Sequence, residues 1–202
     1  MGTRPQIVLR DADREDAAAL VRLWSECAAS GSESGTEAFL QQSLWPEPGV
    51  PEAAEAIELN LSRPGKRIFV ALLGGEIVGA TVCDLTTLTP ISLTRILLVT
   101  DIQVSPRFRR RSVAATLLAA VADYGDEHHC QVVVAVIPVQ AREPHRYLTK
   151  LGFNQIAIVR AISPTKLQSR LRGKSAHSRG TSKLIAMRRT LRRHDSGRTT
   201  TA

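Results

Sequence analysis

The sequence predicts an α/β (α+β) fold with a mixed, mostly antiparallel central sheet flanked by helices. Three features predict it. Two apolar runs, Ile68 to Leu73 and Ile77 to Thr87, meet at Gly74-Gly75, which marks an antiparallel hairpin. A short apolar run, Ile7 to Leu9, leads directly into a segment of helical spacing. A third apolar strand, about Leu93 to Val104, runs through Ser105-Pro106 into an alanine- and leucine-rich helix, and another apolar strand follows that helix.

The first helix is expected from Arg14 to Ala29 after Asp13, because Ala17, Leu20, Val21, Trp24 and Cys27 recur on one face. Gly31 and Gly35 interrupt it, a second helical patch spans Phe39 to Leu44, and the prolines of the stretch Trp45 to Pro51 end that patch. Pro51 suits the first turn of a further helix that Ala53, Ala54, Ile57 and Leu61 continue until Pro64-Gly65. Beyond the hairpin and the third strand, a helix is expected over Val113 to Tyr124 and a buried strand over Gln131 to Ile137. A helix from about Ala141 to Leu151 should end at Gly152, whose lack of a Cβ suits a left-handed cap. Asn154 to Ile162 is expected to return as a strand. Residues 163–182 should form a basic loop, Leu184 to Leu191 a last edge strand, and residues 192–202 a basic disordered tail.

With 202 residues, the chain has the length of one domain with a tail, here residues 1–191 and 192–202. No apolar run approaches the roughly 18 residues of a membrane span, so no membrane partner is expected. Cys27, Cys83 and Cys130 are odd in number and lack CxxC or Cys/His spacing, which points to free thiols in a reducing, cytoplasmic setting and gives no metal site. Cys83 and Cys130 fall in the expected strands, and His128 and His129 at the expected end of a helix.

The net charge of +8 is unevenly divided. Residues 160–202 hold 12 of the 27 basic residues and only Asp195 of the 19 acids, so residues 1–159 carry 15 basic and 18 acidic side chains. Electrostatic binding of nucleic acid or an acidic protein would therefore run through the C-terminal segment. Its lack of aromatics argues against base stacking. The stretch 23–62 contains seven glutamates, Glu33 and Glu37 among them, and no Lys or Arg. Such a patch is either a solvated face or an attractor of a cationic ligand.

The chemically informative segment is Val104 to Leu118, VSPRFRRRSVAATLL, at a strand-to-helix junction. Helix N-termini present unpaired N–H groups and partial positive charge, so Arg109, Arg110 and Arg111 lie on the unfavourable side of the dipole unless an anion is present. Small Ser112, Ala114 and Ala115 would let a diphosphate approach the backbone. The Ser112 hydroxyl would either cap the helix or donate to phosphate.

This segment resembles the coenzyme A loop of the GNAT superfamily of N-acetyltransferases, Q/R-x-x-G-x-G/A, which stands here as Arg109, Arg110, Arg111, Ser112, Val113, Ala114. Asp101-Ile102-Gln103-Val104 with Pro106 resembles the family's approach to the loop, and His145 to Phe153, HRYLTKLGF, resembles its last-helix signature. The resemblance spans approximately Ile7 to Leu191 and implies a single domain of that fold. Two positions depart from the pattern: Ser112 stands at the first loop glycine, and Leu148 stands where a tyrosine often protonates the departing thiolate, with Tyr147 one place earlier. Tyr147, about 100° around the helix from its neighbour, is read as a core aromatic.

The resemblance implies N-acetyl transfer from acetyl-coenzyme A, a co-substrate, by direct attack of a neutral amine on the thioester carbonyl. It also implies that Ile102, Gln103 and Val104 bind the pantetheine arm and polarise that carbonyl through backbone N–H groups, and that residues Arg109 to Ala115 hold the diphosphate. Asp101 is the candidate to relay the amine's proton through water, with Asp84 a weaker one. Glu33 and Glu37 are candidates to orient a cationic acceptor. The acceptor would be a small-molecule or peptide amine, and a second copy of the chain is a further partner considered. The competing readings are a catalytically weak coenzyme A-binding protein and an electrostatic binder acting through residues 160–202.

Overall fold

The computed structural model describes residues 6–31, 48–139 and 141–172, and the chain divides into two units, residues 1–153 and 154–202. The first unit contains a five-stranded sheet in sequential order, β1 (Ile7–Asp11), β2 (Lys66–Leu73), β3 (Glu76–Thr87), β4 (Arg95–Val104) and β5 (Val132–Ala135). The first four strands pair antiparallel, and β5 pairs parallel to β4. This is the expected mixed, mostly antiparallel sheet. Among the described residues four α-helices accompany it: α1 (Ala17–Gly31), α2 (Val50–Leu61), α3 (Val113–Glu127) and α4 (Arg142–Lys150).

Local chemistry explains the element boundaries. Asp13 opens a 3-10 turn, Arg14–Asp16, and forms a reciprocal capping box: its carboxylate accepts from the Glu15 and Asp16 amides, and Asp16 accepts from the Asp13 amide. Arg10 holds the Asp16 carboxylate by two hydrogen bonds of 2.6 and 2.7 Å. Gly74 and Gly75, with φ of 62° and 84°, supply the left-handed pair that a two-residue hairpin requires.

The sheet separates two apolar clusters. On one face Leu20 and Leu23 of α1 and Ala53 and Ile57 of α2 pack with Ile68, Val70, Ile77 and Ala80. On the other, Val113, Leu117, Val121 and Tyr124 of α3 pack with Phe69, Val78, Leu97 and Val99. Burial of each large side chain contributes about 1.5–3 kcal/mol.

Several boundaries differ from the sequence expectation. The strand expected from about Leu93, β4, starts at Arg95, because the chain before it is an exposed turn in which Ser92 and Thr94 bond each other and Leu93 points to solvent. The strand expected over Gln131 to Ile137 is four residues long and only half-buried, since β5 has a pairing partner on one side alone among the described residues. Cys130 precedes it rather than lying in it; its amide donates to Gly125 as the chain leaves α3. α3 continues one turn past Tyr124 to Glu127, and His128 follows as its cap.

The second unit departs further. Residues 154–162 form neither helix nor strand. Residues 164–172, expected as part of a loop, form helix α5, where the Lys166 amide donates to Ser163 Oγ and the Leu167 amide to the Ser163 carbonyl. Straight-chain Lys166, Leu167, Gln168, Arg170 and Leu171 are good helix formers, which the reading by polarity overlooked. The helical patch at Phe39 to Leu44, the strand at Leu184 to Leu191, residues 173–182 and the tail lie outside the described residues. Among the described residues no helix is long and apolar enough to cross a membrane.

Candidate active site

A one-residue register shift in β4 builds the site. Val82 of β3 faces Asp101, but Cys83 faces Val99, so Thr100 is an extra residue bulged out of the ladder. Because side chains alternate, the bulge reverses which face each later residue serves. Val99 lies in the α3-side cluster, and without the bulge Asp101 would follow it there. Instead Ile102 and Val104 pack on the α3 side, and Asp101 and Gln103 turn toward α1.

There the Trp24 indole Nε1 donates to Asp101 Oδ2 at 3.1 Å, and Gln103 Nε2 donates to Oδ1 at 2.6 Å. The Thr81 hydroxyl donates to the Asp101 carbonyl at 2.9 Å. Burial pushes the Asp101 carboxyl above the ordinary carboxylate range, while hydrogen bonds from Gln103, Trp24 and the Ile102 amide oppose that rise. Asp84, the other acid considered, is two rungs away on β3, half-exposed and 3.9 Å from Lys66; it is not brought to this site.

At the same place the sheet opens. The β4–β5 ladder runs from Ile96 to Val99, and its last bond is the Val136 amide to the Val99 carbonyl at 2.9 Å. From residue 100 to 104, β4 has only β3 beside it among the described residues. The Ser105 amide donates to Val78 of β3, so alternation directs the Ile102 and Val104 amides away from β3 and toward the opening. The Val104 carbonyl accepts the Cys27 thiol at 3.4 Å, and Ser105 Oγ donates to Glu26 at 2.9 Å. The C-terminal half of α1 thus lies along this strand end. Cys27 and Cys83 are neutral thiols, pushed by burial to about 11 and about 12.

The turn that follows is strained in a telling way. Arg110 and Ser112 have φ of 62° and 64°, the left-handed region that favours glycine. Ser112 occupies the N-cap of α3 yet makes no side-chain cap bond; only its carbonyl is engaged, by Thr116. Of the two roles open to its hydroxyl, capping is therefore not the one adopted. Val113 is buried against the sheet, so it can offer a ligand only its amide, whereas Ala114 is half-buried and Ala115 exposed.

The three arginines separate. Arg109 donates to Ser30 Oγ at 2.9 Å and pairs with Glu143 at 3.4 Å, tying the end of α1 to the start of α4. The Arg111 guanidinium lies 5.5 Å from the Phe108 ring centre, and both Arg110 and Arg111 are exposed. Leu148 is buried. Tyr147 is half-buried and lines an apolar groove of about 380 Å³ with Ala115, Leu118, Ala122, Leu151 and Phe153. Glu33 and Glu37 lie outside the described residues. Among the described residues no three His, Cys, Asp or Glu gather to hold a metal.

Sequence reasoning gave Trp24, Glu26, Cys27 and Ser30 no part in the site. Trp24 and Cys27 carried only the helical apolar period, and their partners lie 77 residues away, a separation no local pattern encodes.

The acetyltransferase (GNAT) family model matches residues 35–153. A search of curated proteins finds no match to the sequence. Among solved structures the fold is similar to an aminoglycoside N-acetyltransferase, AAC(6')-Iy, in complex with CoA. That pair shares 18% identity and a TM-score of 0.61, over 81% of this chain and 97% of that one. It is similar also to a transcriptional regulator from Bacillus halodurans C-125 (TM-score 0.62, 16% identity, 78% of this chain and 99% of that one). A third likeness is to glucosamine-6-phosphate N-acetyltransferase from Arabidopsis thaliana (TM-score 0.59, 15% identity, 79% and 99%). At these identities the likeness is one of fold.

Proposed function

The chain belongs to the GNAT acetyltransferase family, and on that premise we propose that it moves an acetyl group from acetyl-coenzyme A to the amine of an acceptor. The observation that carries this reading is the coincidence of three features at one strand end. These are a β4 edge opened beyond Val99, an α3 N-terminus with no side-chain cap, and Asp101 set between them and α1.

In this reading the amides of Val113, Ala114 and Ala115, with the Ser112 hydroxyl and Arg110 and Arg111, hold the diphosphate of the co-substrate. The opened edge from Ile102 to Val104 receives the pantetheine arm, and the Val104 amide, directed away from β3, offers its hydrogen to an acyl oxygen. Acetyl-coenzyme A supplies the activated acyl group. Arg109, engaged by Ser30 and Glu143, orders the turn rather than meeting phosphate.

Asp101 takes the proton that an acceptor ammonium must lose before attack. A carboxyl raised by burial is a better base at neutral pH than an exposed one. No tyrosine at the position of Leu148 is needed for the leaving group. A thiolate is a far better leaving group than an alkoxide or amide, and water can protonate it once it has left. The exposed glutamates of α2, Glu52 and Glu55, suit a cationic acceptor, a polyamine-like or aminoglycoside-like amine. We place the catalytic domain at residues 1–191 and the reaction in the cytoplasm, in keeping with three free cysteines.

The test is thiol release from acetyl-coenzyme A in the presence of a panel of primary amines: an aminoglycoside, a polyamine, an amino sugar and a peptide with a free N-terminus. Amine-dependent release that falls by two orders of magnitude or more in Asp101→Asn is the expected outcome. Binding of acetyl-coenzyme A with no amine-dependent release across the panel would favour a binding protein without catalysis.

A further inference from the structure

We propose that Trp24 and Gln103 are positioning residues that fix the orientation of the Asp101 carboxylate toward the opened edge of β4. The proposal rests on the reading of Asp101 as the group that takes the acceptor's proton. Each donates to a different oxygen, Trp24 Nε1 to Oδ2 at 3.1 Å and Gln103 Nε2 to Oδ1 at 2.6 Å. These two side-chain donors at opposite ends of the carboxylate, with the Ile102 amide beside them, determine both its position and the rotation of its plane, and a carboxylate has a further lone pair for an incoming partner.

The partners are neutral, and that distinguishes Asp101 from the other acids around the sheet. Asp16 is held by Arg10, Asp11 by Arg67 and Asp84 by Lys66. Those carboxylates are already neutralised by cations and have little to offer an incoming ammonium. Among the described residues no Lys or Arg pairs with Asp101. The groups facing it from neighbouring elements are otherwise engaged. Glu26 of α1 accepts from Ser105, and Cys27 of α1 is a neutral thiol bonded to the Val104 carbonyl. Arg109 of the turn is paired with Glu143 and Ser30, and Thr81 of β3 reaches only the Asp101 carbonyl.

An indole is suited to this task. It donates one hydrogen bond, accepts none and does not titrate, so it holds an anion without contributing charge. It is also rigid, and its ring is fixed by α1 packing on the sheet. The Thr100 bulge is what brings Asp101 to the α1 face at all, so the bulge and Trp24 act as one device. The bulge turns the side chain toward α1, and the indole receives it there.

The protein itself contains the reporter. Trp24 and Trp45 are its only tryptophans, so in a Trp45→Phe background the emission of Trp24 follows ionisation of its carboxylate partner. We expect one transition, with a midpoint above the ordinary carboxylate range, that is absent in Asp101→Asn. Gln103→Ala should move the midpoint higher still, because a donor to the ionised form is lost. With the most active amine of the panel, Trp24→Phe should lower kcat by about 10-fold with little change in KM for acetyl-coenzyme A. It should also shift the acidic limb of kcat/KM to higher pH. A Trp24→Phe pH profile superimposable on the wild type, with Asp101→Asn inactive, would overturn the positioning role and leave the base role standing. Asp101→Asn with wild-type turnover would instead overturn the base role on which the proposal rests. Should Trp24→Phe not fold, the emission titration of Gln103→Ala decides alone: an unmoved midpoint overturns the proposal.

Discussion

Gly79 on β3 and Val113 at the start of α3 are so close that a Cβ on Gly79 would lie 2.7 Å from Val113 Cγ1, and 3.1 Å from the Gln103 carbonyl. The absent side chain therefore sets how near α3 approaches the sheet, and with it the height of the helix N-terminus above the opened strand. Gly79→Ala should destabilise the fold by about 1–3 kcal/mol, the usual cost of overpacking. Because the displaced elements carry the proposed diphosphate and pantetheine contacts, the surviving folded protein should also bind acetyl-coenzyme A more weakly. Chemical denaturation paired with a binding titration checks both.

Ser112 holds a left-handed backbone at φ 64° without the compensation of a cap bond. Relief of that conformation is worth roughly 1–2 kcal/mol, and glycine's extra unfolded-state entropy returns about 0.5–1. Ser112→Gly should therefore raise stability by roughly 0.5–1 kcal/mol, seen as a higher urea midpoint with an unchanged slope. Ser112→Ala removes the hydroxyl and keeps the strain, so it should not stabilise. Any difference in co-substrate affinity between the two variants isolates the hydroxyl's contact.

Asp101 and Asp16 should respond to pH with opposite sign. Burial holds the Asp101 carboxyl above its ordinary range in the folded state, so its contribution to stability is full below the unfolded value and is lost as pH rises through the folded one. Hydrogen bonding to Arg10 holds Asp16 below its ordinary range, so its contribution is present above the unfolded value and lost as pH falls through the folded one. Asp101→Asn should thus raise Tm at pH 8, with the gain vanishing toward acid. Asp16→Asn should lower Tm at pH 8, with the deficit shrinking below the carboxylate range. Thermal melts of the three proteins across pH 3–8 (about that span is needed to cover both windows) provide the comparison.

The strands β1 to β4 and helices α1 to α4 were legible because each carries its own period or stop signal: alternation and Gly74-Gly75 in the hairpin, Asp13 before α1, Pro51 opening α2. The basic turn itself was legible for the same reason, as three arginines before small residues at a strand-to-helix junction. What the sequence concealed arises from long-range geometry. Nothing local announces that Thr100 bulges, and without the bulge Asp101 has no reason to meet Trp24. Arg109 looked equivalent to its two neighbours until Ser30 and Glu143, distant in sequence, took up its guanidinium. Residues 154–162 alternate as a strand should, yet a strand also requires a ladder partner, which alternation does not provide.

Calorimetric titration of acetyl-coenzyme A tests whether the α3 N-terminus and the turn before it hold that ligand, without knowledge of the acceptor. The measurement compares the wild type with an Arg110→Glu, Arg111→Glu variant whose fold is verified by circular dichroism; both side chains are exposed, so neither change disturbs the core. Loss of two charge-assisted contacts should weaken binding by at least about 10-fold, giving a saturable wild-type isotherm and a flat or far weaker one for the variant. No heat of binding to the folded wild type, or equal affinity in both proteins, would mean that this turn does not hold the co-substrate.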